Sequence, residues 1–536
     1  MQAFLDTAAA RWALALTAIP SVTGTPDEAG FAGRLVELLR ASPAFADWPD
    51  DVWTVPVPGG LPGRACVCAL LRGQGARTVV LTGHFDTVGI GDYGDLQPLA
   101  CEPEALKPRL LERLAGGAAT AAERLARADL EGADFLPGRG LLDMKAGLAA
   151  ALAVMEAAAA DPQRTGNLLF LAVPDEEVNS AGARAAAAVL PELARERGLD
   201  IVAAINLDSL VEDGDGSTGR AVALGTIGKL LPSALVVGRA THASDAFRGF
   251  NACALAGALA AELEWTPELL ERAGDEVTAG MTLLGMKDSK QAYNVTTPER
   301  VWMFWNVMTQ RRGPAEVLAI LERLATQAAR GLVERLGARL GTALGAVPVL
   351  TYEALRREVE ARGSAGALAD AARQAAERGL DLPEQSRIVT ERAWELSGRA
   401  GPAIVLGFAS MPYLATSLGE DPAACRLEAA CADAAVAVAA RHGTTIRLMR
   451  YFPGISDMSF LGQADEAAVP VIAANTPPWG AGIVWPEGPA LGGVPIVNAG
   501  PWGRDYHTPL ERLCVPYAFA VLPDLVDEIA RRVLAP

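Results

Sequence analysis

From Thr78 onward, short apolar runs alternate with longer Ala- and Leu-rich stretches, and this alternation narrows the fold more than any other feature of the chain. Residues 78–88, 167–173 and 201–207 read as strands, and residues 145–160 and 181–196 as helices. Strand, helix, strand, helix, strand predicts an α/β fold built on a mostly parallel sheet with helices on both faces. In such sheets ligands collect beyond the carboxyl ends of the strands. His84, Glu177 and Asp208 each fall at or just past one of those ends.

The 536 residues suffice for two to four domains, and 51% hydrophobic with 21% charged residues describes a globular chain. A formal net charge of −17 argues against a nucleic-acid partner, because phosphate binding needs a basic face. The seven cysteines are odd in number and scattered, without a Cys-x-x-Cys pair, which fits a reduced cytoplasmic setting. The start, Met1-Gln2-Ala3-Phe4-Leu5-Asp6, lacks a basic region and reads as an amphipathic helix, not a signal peptide. The Ala-rich run 146–160 is broken by Glu156 and too short for a bilayer, so no membrane association is expected.

After Asp208 the pattern changes. A polar junction at residues 212–217 leads into a strand (234–239), a helix (251–264), two strands (281–287 and 301–308) and a long helix (314–336). This β-α-β-β-α order, completed by a strand at 403–408, predicts an inserted α+β module of ferredoxin-like type. Residues 340–400, rich in Ala, Arg and Glu, read as a solvated helical pair inserted into it. Strand–helix order then returns: helix 421–440, strands 445–450 and 469–474, and a closing helix at 517–533. The expected domains are therefore 1–220 with 417–536, forming a catalytic domain, and 221–416, a lid. Residues 96–134 read as a surface excursion at the site entrance.

The chain contains four histidines, and two of them stand among acidic motifs. Two divalent ions about 3.5–4 Å apart need several carboxylates, one of them bridging. The available set is His84, His507, Asp143, Asp208 and one of the glutamates Glu176 and Glu177, with the other glutamate free for proton transfer. Consecutive glutamates at a strand end point in different directions, so one can bind metal while the other faces substrate. Asp86 lies two residues beyond His84, on the same side, where it can orient the imidazole.

In order, His-x-Asp at 84–86, Gly-x-Gly-x-x-Asp-Met-Lys at 138–145, Asp-Glu-Glu at 175–177, Asp208 and the late His507 resemble the dinuclear zinc peptidase and amidohydrolase family. That family includes glutamate carboxypeptidase, aminoacylase, acetylornithine deacetylase and succinyl-diaminopimelate desuccinylase. The whole chain, including Phe452-Pro453-Gly454-Ile455-Ser456-Asp457, further resembles the bacterial arginine-utilisation branch. The resemblance implies two divalent ions, zinc first with manganese or cobalt as alternatives. It makes Asp143 the bridge, pairs His84 with Asp208 and Glu177 with His507, and makes Glu176 the general base. It also implies a cis peptide at Asp143–Met144.

In the inserted module, the segment around His242 resembles the family's lid histidine, which polarises the scissile carbonyl. Asn251 and Asn294 match neighbouring lid motifs as substrate or interface contacts. The arginine that many relatives carry next is missing from Phe304-Trp305-Asn306-Val307, so Arg447 or Arg450, near Ser456 and Asp457, would have to meet a substrate carboxylate. The function implied is hydrolysis of an amide bond in a dipeptide or N-acyl amino acid, by a possible homodimer joined through the lid. A catalytically silent metal-binding or interaction protein is the alternative, and Glu176 argues against it. A serine hydrolase fails for want of a Gly-x-Ser-x-Gly elbow.

Overall fold

Eight strands form the central sheet, in the order Val52–Pro56, Ala65–Leu71, Thr165–Val173, Gln74–His84, Asp200–Asn206, Ile496–Asn498, Ala221–Ala223 and Arg447–Met449. The computed structural model describes residues 2–117, 120–161, 163–273, 276–462, 467–485 and 494–536. The chain divides into two units: Met1–Thr226 with Thr416–Ala464 and Pro486–Pro536, and Ile227–Ala415 with Asp465–Trp485. The sheet belongs to the first.

Its middle strands are parallel, and their register decides where the chemistry lies. His84 pairs with Val173 on one side, and Thr82 pairs with Asn206 on the other. Three carboxyl ends are thereby level, so 174–177 and 207–208 emerge beside His84. Both faces of these strands are covered, as continuous apolar runs require. Val79, Leu81, Leu168 and Phe170 share a core with helices Ala8–Thr17, Ala146–Ala159 and Leu522–Leu534. The alternate residues Val80, Leu169 and Leu171 are equally buried on the other face, and helix Ala181–Arg197 packs against the strands Thr165–Val173 and Asp200–Asn206. Helix Ala146–Ala159 comes in close because Gly147 has no side chain. A Cβ there would meet the Leu207 carbonyl oxygen at 2.2 Å.

The second unit carries a six-stranded sheet in the order Gly228–Leu230, Arg300–Thr309, Pro232–Val237, Ala403–Phe408 and Val349–Thr351, with Thr282–Asp288 also paired to Arg300–Thr309. Helices Ala252–Leu263 and Pro314–Leu340 pack against one another. The expected solvated helical pair is instead three helices among the described residues, Tyr352–Ala361, Ala365–Glu377 and Leu382–Ser397. They bury Leu355, Val359, Val389 and Trp394 against Leu235, Trp302 and Val405 of the sheet. Charge-rich composition concealed one apolar stripe per helix, which is all a covering layer needs. Residues 469–474, read as a strand, lie in helix Ala468–Asn475. A short apolar run carries no periodicity that separates the two states. Among the described residues no helix is long and apolar enough to cross a membrane.

One buried ion network anchors the first unit beneath the Asp175–Glu177 turn. Arg64 Nη2 donates to Glu28 Oε2 at 2.7 Å, and its Nη1 lies 3.0 Å from Asp175 Oδ1. All three side chains are buried. Removing the shared cation strands two carboxylates out of water. Arg64→Ala is therefore expected to cost about 3–5 kcal/mol, read as a lowered urea-denaturation midpoint against the parent protein.

Candidate active site

Five separated segments deliver acidic and imidazole groups to the level strand ends. His84 closes its strand and is 2% exposed. Its Nε2 lies 3.4 Å from Asp143 Oδ1, 3.8 Å from Asp208 Oδ1 and 4.0 Å from Glu176 Oε2. His507 Nε2 lies 3.1 Å from Asp143 Oδ2 and 3.2 Å from Glu177 Oε1. Asp143 thus turns one oxygen to each imidazole. The two neighbouring glutamates diverge, Glu176 toward His84 and Glu177 toward His507. The Asp143–Met144 peptide is cis.

The electrostatics show what this set lacks. Burial drives the carboxyls of Glu176, Glu177 and Asp208 above their ordinary range, against the opposing pull of the imidazoles. It also pushes buried Asp457 up to about 7, with His84 opposing. At Asp143 burial acts the same way, but contacts to His507 and His84 outweigh it and hold the carboxyl low. Burial disfavours the His507 imidazolium, yet Asp143 and Glu177 raise its pKa to about 10. Crowded, buried carboxylates resist ionisation without more positive charge. His84, Asp143 and Glu177 each offer a ligand atom, all within 4.8 Å of one another. Imidazole nitrogen and carboxylate oxygen are donors that divalent transition metals take, so the residues fit a divalent metal site.

Side chains from distant segments brace the loops that carry these residues. Asp86 Oδ1 accepts from the Glu176 N–H at 3.1 Å, and Oδ2 from the Glu177 N–H at 3.3 Å. The His84 ring instead sets Nδ1 3.0 Å from the Asp86 backbone carbonyl, while the Asp86 carboxylate is 3.7 Å away. Asn498 holds Asp208 at both ends of its peptide: its Oδ1 accepts from the Asp208 N–H and its Nδ2 donates to the Asp208 carbonyl, each at 2.9 Å. Glu511 accepts from the Gly140 N–H at 3.0 Å and from buried Arg139 at 2.5 Å, tying the Asp143 loop to the His507 segment. Gly140 is required at this joint, because its φ is +74° and a Cβ would meet Thr87 Cγ2 at 2.5 Å. Arg139 and Glu511 sit inside the motifs that point to Asp143 and His507, and that placement was their only signal. Asn498 carried none.

The remaining expected residues fall in other settings. Ser456 Oγ accepts from Asn206 Nδ2 at 3.0 Å and from the Met458 N–H at 3.2 Å. Arg450 is exposed just past the strand Arg447–Met449. In the second unit His242 is exposed, with Nδ1 2.6 Å from Ser244 Oγ. Asn251 caps helix Ala252–Leu263 by accepting from the Cys253 N–H at 2.9 Å. Asn294 accepts from the Thr296 N–H at 3.1 Å. His442 ends helix Pro422–His442 and pairs with Asp524 at 2.8 Å.

The model of peptidase family M20/M25/M40 matches residues 126–478. The chain belongs to that family. The matched span contains Asp143, Glu176, Glu177 and Asp208, while His84 and His507 lie outside it. The chain is 34% identical over 523 residues to YqjN of Bacillus subtilis, covering 95% of this chain and 93% of that protein. It is 27% identical over 532 residues to Protein RocB of the same organism, covering 96% and 92%. Among solved structures its fold is similar to aminopeptidase PepT from Bacillus cereus, with TM-score 0.53, 16% identity and 98% of each chain covered. It is likewise similar to YXEP of Bacillus subtilis, a dinuclear metal-binding peptidase of the M20 family, with TM-score 0.51, 14% identity and 99% of each chain covered. Family membership makes the chain a metal-dependent hydrolase of peptide or amide bonds.

The Asn498 clamp gives a test independent of turnover. Asn498→Ala is expected to weaken metal binding about 10- to 100-fold, as loss of a ligand-orienting partner does elsewhere. Competition against a chromophoric chelator measures it.

Proposed function

We propose that the protein hydrolyses an amide bond of a dipeptide or N-acyl amino acid, using two divalent ions, zinc first among the candidates. The observation that carries this reading is the divided Asp143 carboxylate, with Oδ1 toward His84 and Oδ2 toward His507. Asp143 would then be shared by the two ions, with His84 and Asp208 holding one and Glu177 and His507 the other. When bound, the ions act as Lewis acids toward the scissile carbonyl and the attacking water.

The chain's own residues do the rest. Glu176 turns away from Glu177 and toward His84, and no ligand role is assigned to it, so its carboxylate takes the proton from the attacking water. The same oxygen returns that proton to the leaving amine, making Glu176 base and then acid. Asp86 fixes the Glu176–Glu177 backbone by accepting both N–H groups. The resemblance adds His242 as the group that polarises the carbonyl, and Asn251 and Asn294 as substrate contacts, while Arg447 or Arg450 takes the place of the arginine that the family carries and this chain lacks. Ser456 and Asp457, in the segment that resembles the arginine-utilisation branch, are further substrate contacts, and the scattered cysteines support a cytoplasmic setting. Exposed Leu284 and Met286 on the strand Thr282–Asp288 support dimerisation through the second unit. A silent metal-binding protein would leave Glu176 without a purpose.

Glu176→Gln is expected to keep its metal content and lose about 10²- to 10⁴-fold in kcat. Elemental analysis and hydrolysis of a panel of dipeptides and N-acyl amino acids would be measured together, and unchanged turnover would remove Glu176 from the mechanism. Chelator dialysis is expected to abolish turnover in the parent and lower its Tm, with zinc restoring both.

A further inference from the structure

His507 sits in the loop of a β-hairpin, and the base of that hairpin poses an electrostatic problem. Strands Trp502–Arg504 and Arg512–Cys514 are antiparallel, with Arg504 directly opposite Arg512. Both guanidinium side chains are buried, at 7% and 0% exposed. Like charges facing each other across strands are destabilising, and burial makes that worse. The loop itself is held in an unfavourable shape. Asp505 and His507 have φ of +53° and +61°, a region that costs non-glycine residues free energy unless their surroundings enforce it.

The compensating charge shared by both guanidinium groups comes from outside the metal-site motifs. Asp129, on helix Ala121–Glu131, accepts from Arg512 Nε at 2.8 Å, and the same oxygen lies 2.7 Å from Arg512 Nη2 and 3.2 Å from Arg504 Nε. Arg512, so fixed, donates through Nη1 to Asp505 Oδ2 at 2.5 Å and to the Leu510 carbonyl at 3.0 Å, which are the two ends of the loop. Leu510 packs against the core, while Leu110, Leu114, Thr508 and Pro509 line a cavity of about 320 Å³ beside the loop.

We propose that Asp129 is a positioning residue for the His507 half of the metal site, acting through Arg504 and Arg512 on the shape of the 505–510 loop. This rests on His507 being a metal ligand. Helix Ala121–Glu131, within the stretch 96–134 that reads as a surface excursion, thereby holds the His507 side of the centre in place.

The test is zinc binding to chelator-treated protein by calorimetry. The parent is expected to take two ions. Asp129→Asn is expected to take the first with parental affinity and the second about 10- to 100-fold more weakly, with kcat recovering in excess zinc and KM unchanged. Asp129→Glu, which keeps the charge, is expected to lie nearer the parent, and Glu131→Gln on the exposed side of the same helix to match it. Two parental affinities in Asp129→Asn would overturn the proposal. So would weakening of both ions alike, or metal-free unfolding of both Asp129 variants by circular dichroism, which assigns the residue to stability alone. A parent that takes fewer than two ions instead sinks the metal reading, and this inference with it.

Discussion

Five carboxylates are crowded into one corner at the carboxyl edge of a parallel sheet, and the rest of the first unit is arranged around holding them there. Sheet register brings Glu176, Glu177 and Asp208 level with His84, the loops carrying Asp143 and Asp457 add theirs, and His84 and His507 answer only part of the charge. Burial works against ionisation at Glu176, Glu177, Asp208 and Asp457 alike. Such a cluster is unfavourable by itself. It becomes favourable when cations occupy it, which links the stability of the corner to its chemistry.

The corner is kept by borrowed hydrogen bonds. Loops beyond strand ends carry peptide groups that the ladders leave over, and several here are met by side chains from elsewhere. Asp86 serves Glu176 and Glu177, Asn498 serves Asp208, and Glu511 serves Gly140. A deeper layer holds these partners: Arg139 pairs with Glu511 and also reaches Asp92, while Arg64 joins Glu28 to Asp175. Buried polar networks of this kind are strong when complete and costly when broken, so they fix one geometry. A metal site needs that, because donors displaced by a fraction of an ångström no longer converge.

Strand-end placement made His84, Glu177 and Asp208 legible in the sequence, since period and position alone put them at the carboxyl edge. The inserted α+β module was legible for the same reason, and its strand Ala403–Phe408 was read with both boundaries in place. The bracing partners were not. Arg64 with Glu28, Asn498 with Asp208 and Asp129 with Arg512 are pairings between remote segments, and nothing local distinguishes them from surface charges or loop amides. The helices of residues 340–400 were misjudged because composition reports average polarity, whereas docking depends on where the few apolar residues fall. Helix Ala468–Asn475 was misjudged because its short apolar run, Ala468 to Ala474, suits either backbone.

The placing of the insertion follows from the same constraints. The first unit sends its chain out after Thr226 and takes it back at Thr416, and these two points are already joined. Gly225–Thr226 pairs antiparallel with Thr416–Ser417, and the Thr226 N–H donates to Thr416 Oγ1 at 3.3 Å. With entry and exit fixed side by side, whatever lies between them adds no strain to the sheet, and the segments that follow can still return to the centre. Asn206 shows the return directly, because its amide meets Ser456 and Asn498, both supplied after the insertion. The carboxyl edge is thus assembled from chain on either side of a large interruption. That is possible only because the first unit closes its own ladder at the point of departure.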